Sequence, residues 1–365
     1  MSRVVIAHPS PDLYGSDRMV FESVKAVIQT HRVLFVLPAH GPLSGRLRDA
    51  GAEIVIMPTP VLRKSLLSPR GLVTLGYQTA AVLPRMIALL RRVRPETLYV
   101  STITLPLWIV AGRLAGVRVV CHAHEAEQSV SPLVRRLLAT PVRLAHHVVA
   151  NSEACLRTLT GGGVRRERVT VVYNGVADPG GATPPRETPE GRLVLVGRLS
   201  PRKGSDVAVR AAALLRERGR PVTLTLVGAI FPGYEWFEKG LRSAAGDEVT
   251  FAGFQDPIAP FLADADIVLV PSREEPFGNV AVEGMLAGRP VVASEVQGLA
   301  EIIRNGETGV LVPPDDAVAL ADAIEALLAD WPRALELAGA GQEDARRRFT
   351  LTRYHSDIMG VLRRT

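Results

Sequence analysis

Short runs rich in Val, Ile and Leu alternate with amphipathic helical stretches along the whole chain, and this alternation limits the fold most. In the first half the expected strands are 4–8, 32–38, 53–57, 97–101, 118–122, 147–151 and 169–173. In the second they are 192–197, 223–228, 249–252, 267–271, 291–294 and 309–312. Many are apolar at every position, as expected of strands covered on both faces. Helical patterns such as 206–218, 280–287 and 316–328 separate them. Repeated strand-helix units imply parallel sheets with right-handed crossovers. An α/β chain of 365 residues with this pattern on both sides of a break reads as two doubly wound domains.

The break is 177–185, Ala-Asp-Pro-Gly-Gly-Ala-Thr-Pro-Pro, which suits neither strand nor helix. It sets expected domains of 1–178 and 192–348, a linker of 179–191 and a final helix from 349 to 365. Ligands of open α/β sheets sit beyond the carboxyl ends of the strands, so a cleft between the two domains is the expected site.

Composition removes other classes. With 47% hydrophobic and 22% charged residues the chain is not disordered. Cys121 and Cys155 are its two cysteines, and neither has metal-ligand spacing, so a reducing compartment is expected. The first apolar run stops at Pro9, too early for a signal-peptide core. No apolar stretch reaches the ~20 residues of a membrane span. A cytoplasmic protein is expected, with peripheral membrane contact left open. Arg outnumbers Lys 39 to 4, a bias that suggests a GC-rich bacterial source.

Charge is split between the halves. Residues 1–178 hold 22 Lys and Arg against 11 Asp and Glu, and the remainder holds 21 against 26. Basic clusters stand at Arg63-Lys64, Arg91-Arg92-Val93-Arg94, Arg135-Arg136 and Arg165-Arg166. They fit a solvated surface, or attraction to anionic lipid or a phosphorylated acceptor. Nucleic acid is not expected, because no recognition motif accompanies the charge.

Four segments carry chemistry. The first runs from Val270 to Gly284, leaving an apolar strand and entering a helix. Pro276 suits a first helical turn, and Gly278 lets a ligand approach the backbone. The amides of Phe277, Gly278 and Asn279 then form an anion site at the positive helix end. Glu275 and Glu283 could each accept two hydroxyl hydrogen bonds from a diol. A capping acid and a solvated helix glutamate fit the same pattern. The second segment places Gly197, Arg198, Lys203 and Gly204 after a strand, two cations beside small residues, as a pyrophosphate would need. A plain basic turn also fits. The third is Tyr14-Gly15-Ser16-Asp17, in the loop after the first strand, where a small residue exposes backbone. The fourth is Val119 to Glu125, with His122 and His124 on one strand face. No third ligand accompanies them, so no metal is expected, and structural and catalytic roles both stand.

Taken together and in order, these motifs resemble a retaining glycosyltransferase of family 4 (glycosyl transferases group 1). Glu275 and Glu283 enclose the family's seven residues, within a Pro271–Ala293 stretch of its pattern. Gly197-Arg198-Leu199, Lys203-Gly204, Asn151-Ser152, Tyr173–Val176 and Gly298–Ile302 are further family-like pieces. The resemblance implies the GT-B fold, two Rossmann-like doubly wound domains facing across a cleft. It implies a nucleotide-sugar substrate, a UDP- or GDP-sugar, and no separate cofactor. Glu283 would hold the ribose, while Glu275 and the amides of Phe277–Asn279 would hold the sugar. Arg198 and Lys203 would hold the diphosphate. Gly15, Ser16, Gly197, Gly228, Gly278 and Val280 would complete the donor site. Where the family usually carries two glycines in the first loop, this chain has Gly15-Ser16. His124 would sit near the reacting carbon, with His122 as the alternative, and Tyr14, His122 and Glu125 would face the acceptor. The acceptor would be a glycan, a lipid-linked sugar or a small molecule, chosen by loops 9–18, 58–75 and 122–135.

The expected reaction is hexosyl transfer with retention, by front-face attack. No metal is expected to take part. Rival readings are a sugar-nucleotide epimerase or phosphorylase, a nicotinamide-dependent dehydrogenase, and a non-catalytic sugar-nucleotide binder. The dehydrogenase lacks its glycine fingerprint here.

Overall fold

The computed structural model describes residues 1–62, 69–125, 136, 139–178, 180, 183–230 and 233–363, with the side chains of 69–75 set aside. Arg63-Lys64, Arg135 and much of the loops 58–75 and 122–135 therefore lie outside the described residues. The chain forms two compact units: Met1–Gly175 with Leu351–Thr365, and Val176–Thr350.

Unit 1 holds β1 (Arg3–Ala7), α1 (Gly15–Val27), β2 (Arg32–Leu37), α2 (Pro42–Asp49), β3 (Glu53–Ile56), α3 (Pro69–Val93) and β4 (Thr97–Val100). It continues with α4 (Pro106–Leu114), β5 (Arg118–Ala123), β6 (His147–Ala150), α5 (Glu153–Gly161) and β7 (Val169–Val171). Its sheet is parallel, in the order β3-β2-β1-β4-β5-β6-β7. The unbroken apolar runs follow from two cores. Val5, Ala7, Leu34, Val36 and Leu98 face one way, against Met86, Leu90, Trp108 and Ile109 of α3 and α4. Val4, Ile6, Phe35, Leu37 and Tyr99 face the other, against α1, α2 and the chain's last helix. A strand buried on both faces has no use for polar alternation.

Unit 2 holds β8 (Arg192–Val196), α6 (Ser205–Glu217), β9 (Thr223–Val227), α7 (Glu235–Ala244), β10 (Val249–Gly253), α8 (Ala259–Asp264) and β11 (Ile267–Val270). Next come α9 (Asn279–Leu286), β12 (Val291–Ser294), α10 (Leu299–Ile302), β13 (Val310–Val312), α11 (Ala317–Ala329) and α12 (Trp331–Arg348). Its sheet is also parallel, in the order β10-β9-β8-β11-β12-β13. Both sheets thus repeat the doubly wound order, whose chain direction reverses beside the first strand.

The last helix, α13 (Leu351–Arg363), belongs to unit 1. Tyr354, Ile358, Val361 and Leu362 are buried in the second core of that unit. Arg118 donates to the carbonyls of Leu362 at 2.7 Å and Val361 at 3.0 Å, meeting the helix's negative end with a cation.

The Pro- and Gly-rich stretch read as a linker is fastened to unit 2 where it is described. Arg186 bonds Asp264 at 2.8 Å, its carbonyl accepts from Trp331 Nε1 at 2.8 Å, and the amide of Glu190 donates to buried Asp266 at 2.8 Å. Irregular backbone there is held by side chains instead of a ladder. Among the described residues no helix is long and apolar enough to cross a membrane.

Candidate functional site

In unit 1 the polar residues collect beyond the carboxyl ends of β1, β4 and β5. The motif Tyr14–Asp17, expected in a loop, begins a helix instead: Gly15 is the first residue of α1 and Tyr14 its cap. Asp17 explains this. Its Oδ2 accepts the Tyr14 amide at 2.8 Å, satisfying a donor the helix end leaves open. Its Oδ1 pairs with His8 Nε2 at 2.8 Å, and His8 Nδ1 meets Ser101 Oγ at 2.6 Å. His8 is 3% exposed and Asp17 2%, so this buried pair fixes the turn that presents exposed Gly15 and Ser16.

His122, on β5, is fully buried and shares a hydrogen bond with the Tyr99 hydroxyl. It stacks on His124 with ring centroids 4.0 Å apart. Nε2 of each ring is buried with no hydrogen-bond partner among the described residues. Burial, reinforced by His124, pushes the His122 imidazole well below its ordinary value. Burial and the nearby His8 take His124 down to about 3, against an opposing pull from Asp17. Both rings are therefore neutral near pH 7. A buried nitrogen left open is the kind of group that points to a missing partner.

Glu125, expected to face the acceptor, turns inward. Its carboxylate bonds the Thr102 hydroxyl and accepts the amides of His124 at 3.0 Å and Ile103 at 3.5 Å. Burial pushes its carboxyl up, partly offset by those bonds. It shapes the loops around His124 instead of presenting an open acid. His122 likewise lies behind His124, buried within the sheet.

In unit 2 the residues after β8 and β11 form a platform of two strapped loops. A short 3₁₀ turn, Pro201–Lys203, ends in Gly204 at φ 67°. A Cβ on Gly204 would stand 1.9 Å from the Pro271 carbonyl oxygen, so the two loops touch backbone to backbone. Arg273 locks them, gripping Asp206 through both guanidinium nitrogens at 2.8 and 2.7 Å and reaching Asp315 at 2.6 Å. Its amide donates to the Arg202 carbonyl at 2.8 Å, and Arg202 returns a bond to the Glu274 carbonyl at 3.0 Å.

This strapping brings Lys203 onto Glu275 in an ion pair, 72 residues apart in sequence. Ser272 Oγ donates to the same carboxylate at 3.2 Å. Glu275 is 7% exposed. Burial raises its carboxyl, but Lys203, Arg202 and Ser272 together outweigh that and hold it below the ordinary range. It is a buried carboxylate kept ionised by a cation.

Gly278, at φ 120°, caps α9, which carries half-buried Asn279, Val280 and Glu283 on its first turns. Phe277 is buried and meets Phe349 edge-on, so only its backbone is offered. Gly298 lies against the carbonyls of Pro276 and Phe277, where a Cβ would come within 2.5 Å. Arg198 and Gly197 stand half-buried after β8, with the Lys203 stem 3.7 Å from where a Gly197 Cβ would lie. Gly228 has a tighter reason than a ligand: at φ 150°, its Cβ would meet the Gly197 carbonyl oxygen at 1.9 Å. The expected residues of this half therefore gather at one end of the sheet. Reading the sequence alone missed His8, Ser101, Tyr99 and Arg273. His8 had a signal, a histidine closing an apolar strand. Among the described residues no three His, Cys, Asp or Glu side chains group as a metal ligand set.

Comparison with known proteins agrees with these two halves. Residues 14–178 match the family model described as Glycosyltransferase Family 4, and residues 190–330 match the model described as Glycosyl transferases group 1. A D-inositol 3-phosphate glycosyltransferase of Arthrobacter sp. (strain FB24) is 42% identical over 144 residues, 38% of this chain and 34% of that one. Another bearing that name, from Acidothermus cellulolyticus, is 36% identical over 242 residues, 60% of this chain and 54% of that one. A glycogen synthase of Mycobacterium tuberculosis is 35% identical over 180 residues, 48% and 43% of the two chains. These matches span about half or less of each relative's length. The fold is that of Anabaena HepE, solved in complex with UDP and glucose, at a TM-score of 0.85 and 24% identity over 100% of both chains. It is also that of the lipopolysaccharide outer core galactosyltransferase WaaB, at 0.74 and 15% over 99% of both.

Proposed function

We propose, from the premise that this chain belongs to the group 1, family 4 glycosyltransferases, that it moves a hexosyl group from a nucleoside diphosphate sugar to an acceptor hydroxyl with retention. The observation that carries this reading is the Lys203–Glu275 pair, strapped by Arg273 beside the amino end of α9. A ligand diphosphate competes for Lys203 and takes its place beside Arg198. Glu275, released from Lys203, is left as an acceptor for sugar hydroxyls, and Glu283 for the ribose diol. The glycine-lined strand ends allow a bulky anion to approach the backbone.

The reaction balances without an added reagent. The bond from the anomeric carbon to the leaving phosphate oxygen breaks, and the acceptor oxygen bonds the same face of that carbon. The acceptor proton passes to the departing diphosphate. Arg198 and Lys203 stabilise the charge that grows there, a role worth ~10²–10³ in rate per donor. No metal ion is called for in this scheme. His124, neutral at pH 7 with a buried open nitrogen, is suited to hydrogen-bond an uncharged hydroxyl of the sugar or acceptor. The acceptor is a glycan, a lipid-linked sugar or a small molecule, and the setting is the cytoplasm.

Mass spectrometry of a panel of UDP- and GDP-sugars, incubated with a lipid extract and soluble glycosides, tests the reading. It expects an acceptor gaining one hexosyl mass while the donor yields nucleoside diphosphate. Donor isomerisation without an acceptor would favour an epimerase, and donor binding with no turnover a binding protein.

A further inference from the structure

The basic cluster at Arg91–Arg94 finds no place in the reaction above. Arg92 lies near the carboxyl end of α3, hence at the amino ends of the strands in unit 1. His124 and the Gly15–Ser16 turn lie beyond the opposite ends of the same sheet. At the amino ends a cavity of about 360 Å³ opens, within the ~300–1,000 Å³ typical of small-molecule sites.

Its walls are unusual in charge. Among the described residues, Arg3, Arg32 and Arg92 line it with one carboxylate, Glu53, and its floor is apolar: Val33, Leu34, Val55, Leu89 and Val93. Arg3 and Arg32 are register partners on the neighbouring parallel strands β1 and β2. Each is two residues before an inward residue of the α3-facing core, Val5 and Leu34, so both point to the α3 side. Like charges set directly opposite on adjacent strands repel. Among the described residues, none of these three guanidinium groups makes a hydrogen bond or ion pair. Unit 2 treats its arginines differently: Arg218, Arg273 and Arg304 each hold two acids. Three unpartnered forks around an apolar floor match a multivalent oxyanion attached to an apolar body, because guanidinium pairs with phosphate through two parallel bonds.

We propose that this cavity binds a small molecule carrying phosphate or pyrophosphate, at a site separate from the one used for transfer. Calorimetry with inorganic pyrophosphate and with phenyl phosphate tests it on the full chain. The background is Arg198→Gln/Lys203→Gln, so that binding at the unit 2 platform does not contribute. One pyrophosphate per chain is expected. Arg3→Gln/Arg32→Gln should weaken it by about tenfold or more, the effect of losing charge-assisted bonds worth at least ~1.4 kcal/mol. Glu53→Gln should tighten it by about threefold, since the rim loses its one negative charge. A variant that merely misfolds cannot bind more tightly. Raising salt should weaken binding throughout, and phenyl phosphate should bind where phenol does not. The proposal falls if the background variant binds neither probe, or if binding ignores both sets of substitutions. It also falls if Arg3 and Arg32 are needed only for sedimentation with phosphatidylglycerol vesicles, which would make this edge a membrane surface.

Discussion

At the carboxyl ends of its strands, unit 1 gathers His8, Asp17, Tyr99, His122 and His124, while unit 2 gathers Lys203, Asp206, Arg273 and Glu275. The strand order is shared, and the treatment of charge is not. In unit 1 burial strips charge from the two stacked imidazoles. In unit 2 the buried Glu275 and the half-buried Asp206 of the platform are both held below the ordinary carboxylate range with cations at hand. Backbone use differs as well. The positive-φ glycines Gly51, Gly116 and Gly163 of unit 1 follow helices, as do Gly219 and Gly288 of unit 2, but unit 2 adds Gly197, Gly204, Gly228 and Gly278 at its strand ends. One fold thus makes a surface suited to an uncharged partner and another suited to an anion.

The sharpest way to break this contrast is to discharge unit 2. Arg198→Ala/Lys203→Ala should lower transfer by about 10³-fold or more, given ~10²–10³ for one such donor. Its Tm should fall as well, because Glu275 is left buried without its cation, so rates are compared well below the variant's Tm; rates within tenfold of the wild type would remove the role assigned to both cations. Next is the backbone. Gly228→Ala puts a methyl on the Gly197 carbonyl, and should cost about 2–3 kcal/mol in denaturant unfolding. Hydrogen exchange should place the loss in unit 2 and leave the strands of unit 1 protected.

In unit 1 the expected effects are smaller. Asp17→Ala removes both the cap of α1 and the partner of His8, at a cost of about 1–2 kcal/mol. On the proposal that the Gly15–Ser16 turn contacts the donor, it should also raise the donor KM, and an unchanged KM would make His8 and Asp17 structural only. The smallest effect is in pH. His124 folds at about 3 against an ordinary 6.5, so the folded state binds fewer protons than the unfolded one between those values. Stability should therefore fall as pH drops from about 6.5 towards 3, with His122 contributing in the same direction. A Tm drop of about 2–4 °C per kcal/mol lost is expected, and His124→Gln should reduce it.

Much of this was legible in sequence for a local reason. Each strand buries both faces, so each shows as an apolar run, and all thirteen runs coincide with strands to within about two residues at either end. What stayed hidden depends on sheet order. His8 meets Ser101 across 93 residues because β1 lies beside β4, and Lys203 meets Glu275 across 72 because β8 lies beside β11. Nothing in local periodicity reports such neighbours. The 179–191 stretch shows another limit: its composition forbids regular structure but says nothing of how Arg186 and Asp266 fasten it. Glu125 shows the same limit, since an acid after a histidine looks open until the loop around Thr102 is seen to consume it.

Diphosphate binding at the unit 2 platform is the central claim, and calorimetric titration with UDP, uridine, GDP and guanosine tests it without knowledge of the acceptor. One nucleoside diphosphate should bind about 100-fold or more tightly than its nucleoside, equivalent to roughly 2.7 kcal/mol, and Arg198→Ala/Lys203→Ala should erase most of that gap. Equal binding of nucleoside and diphosphate, or a gap untouched by the double substitution, would contradict it.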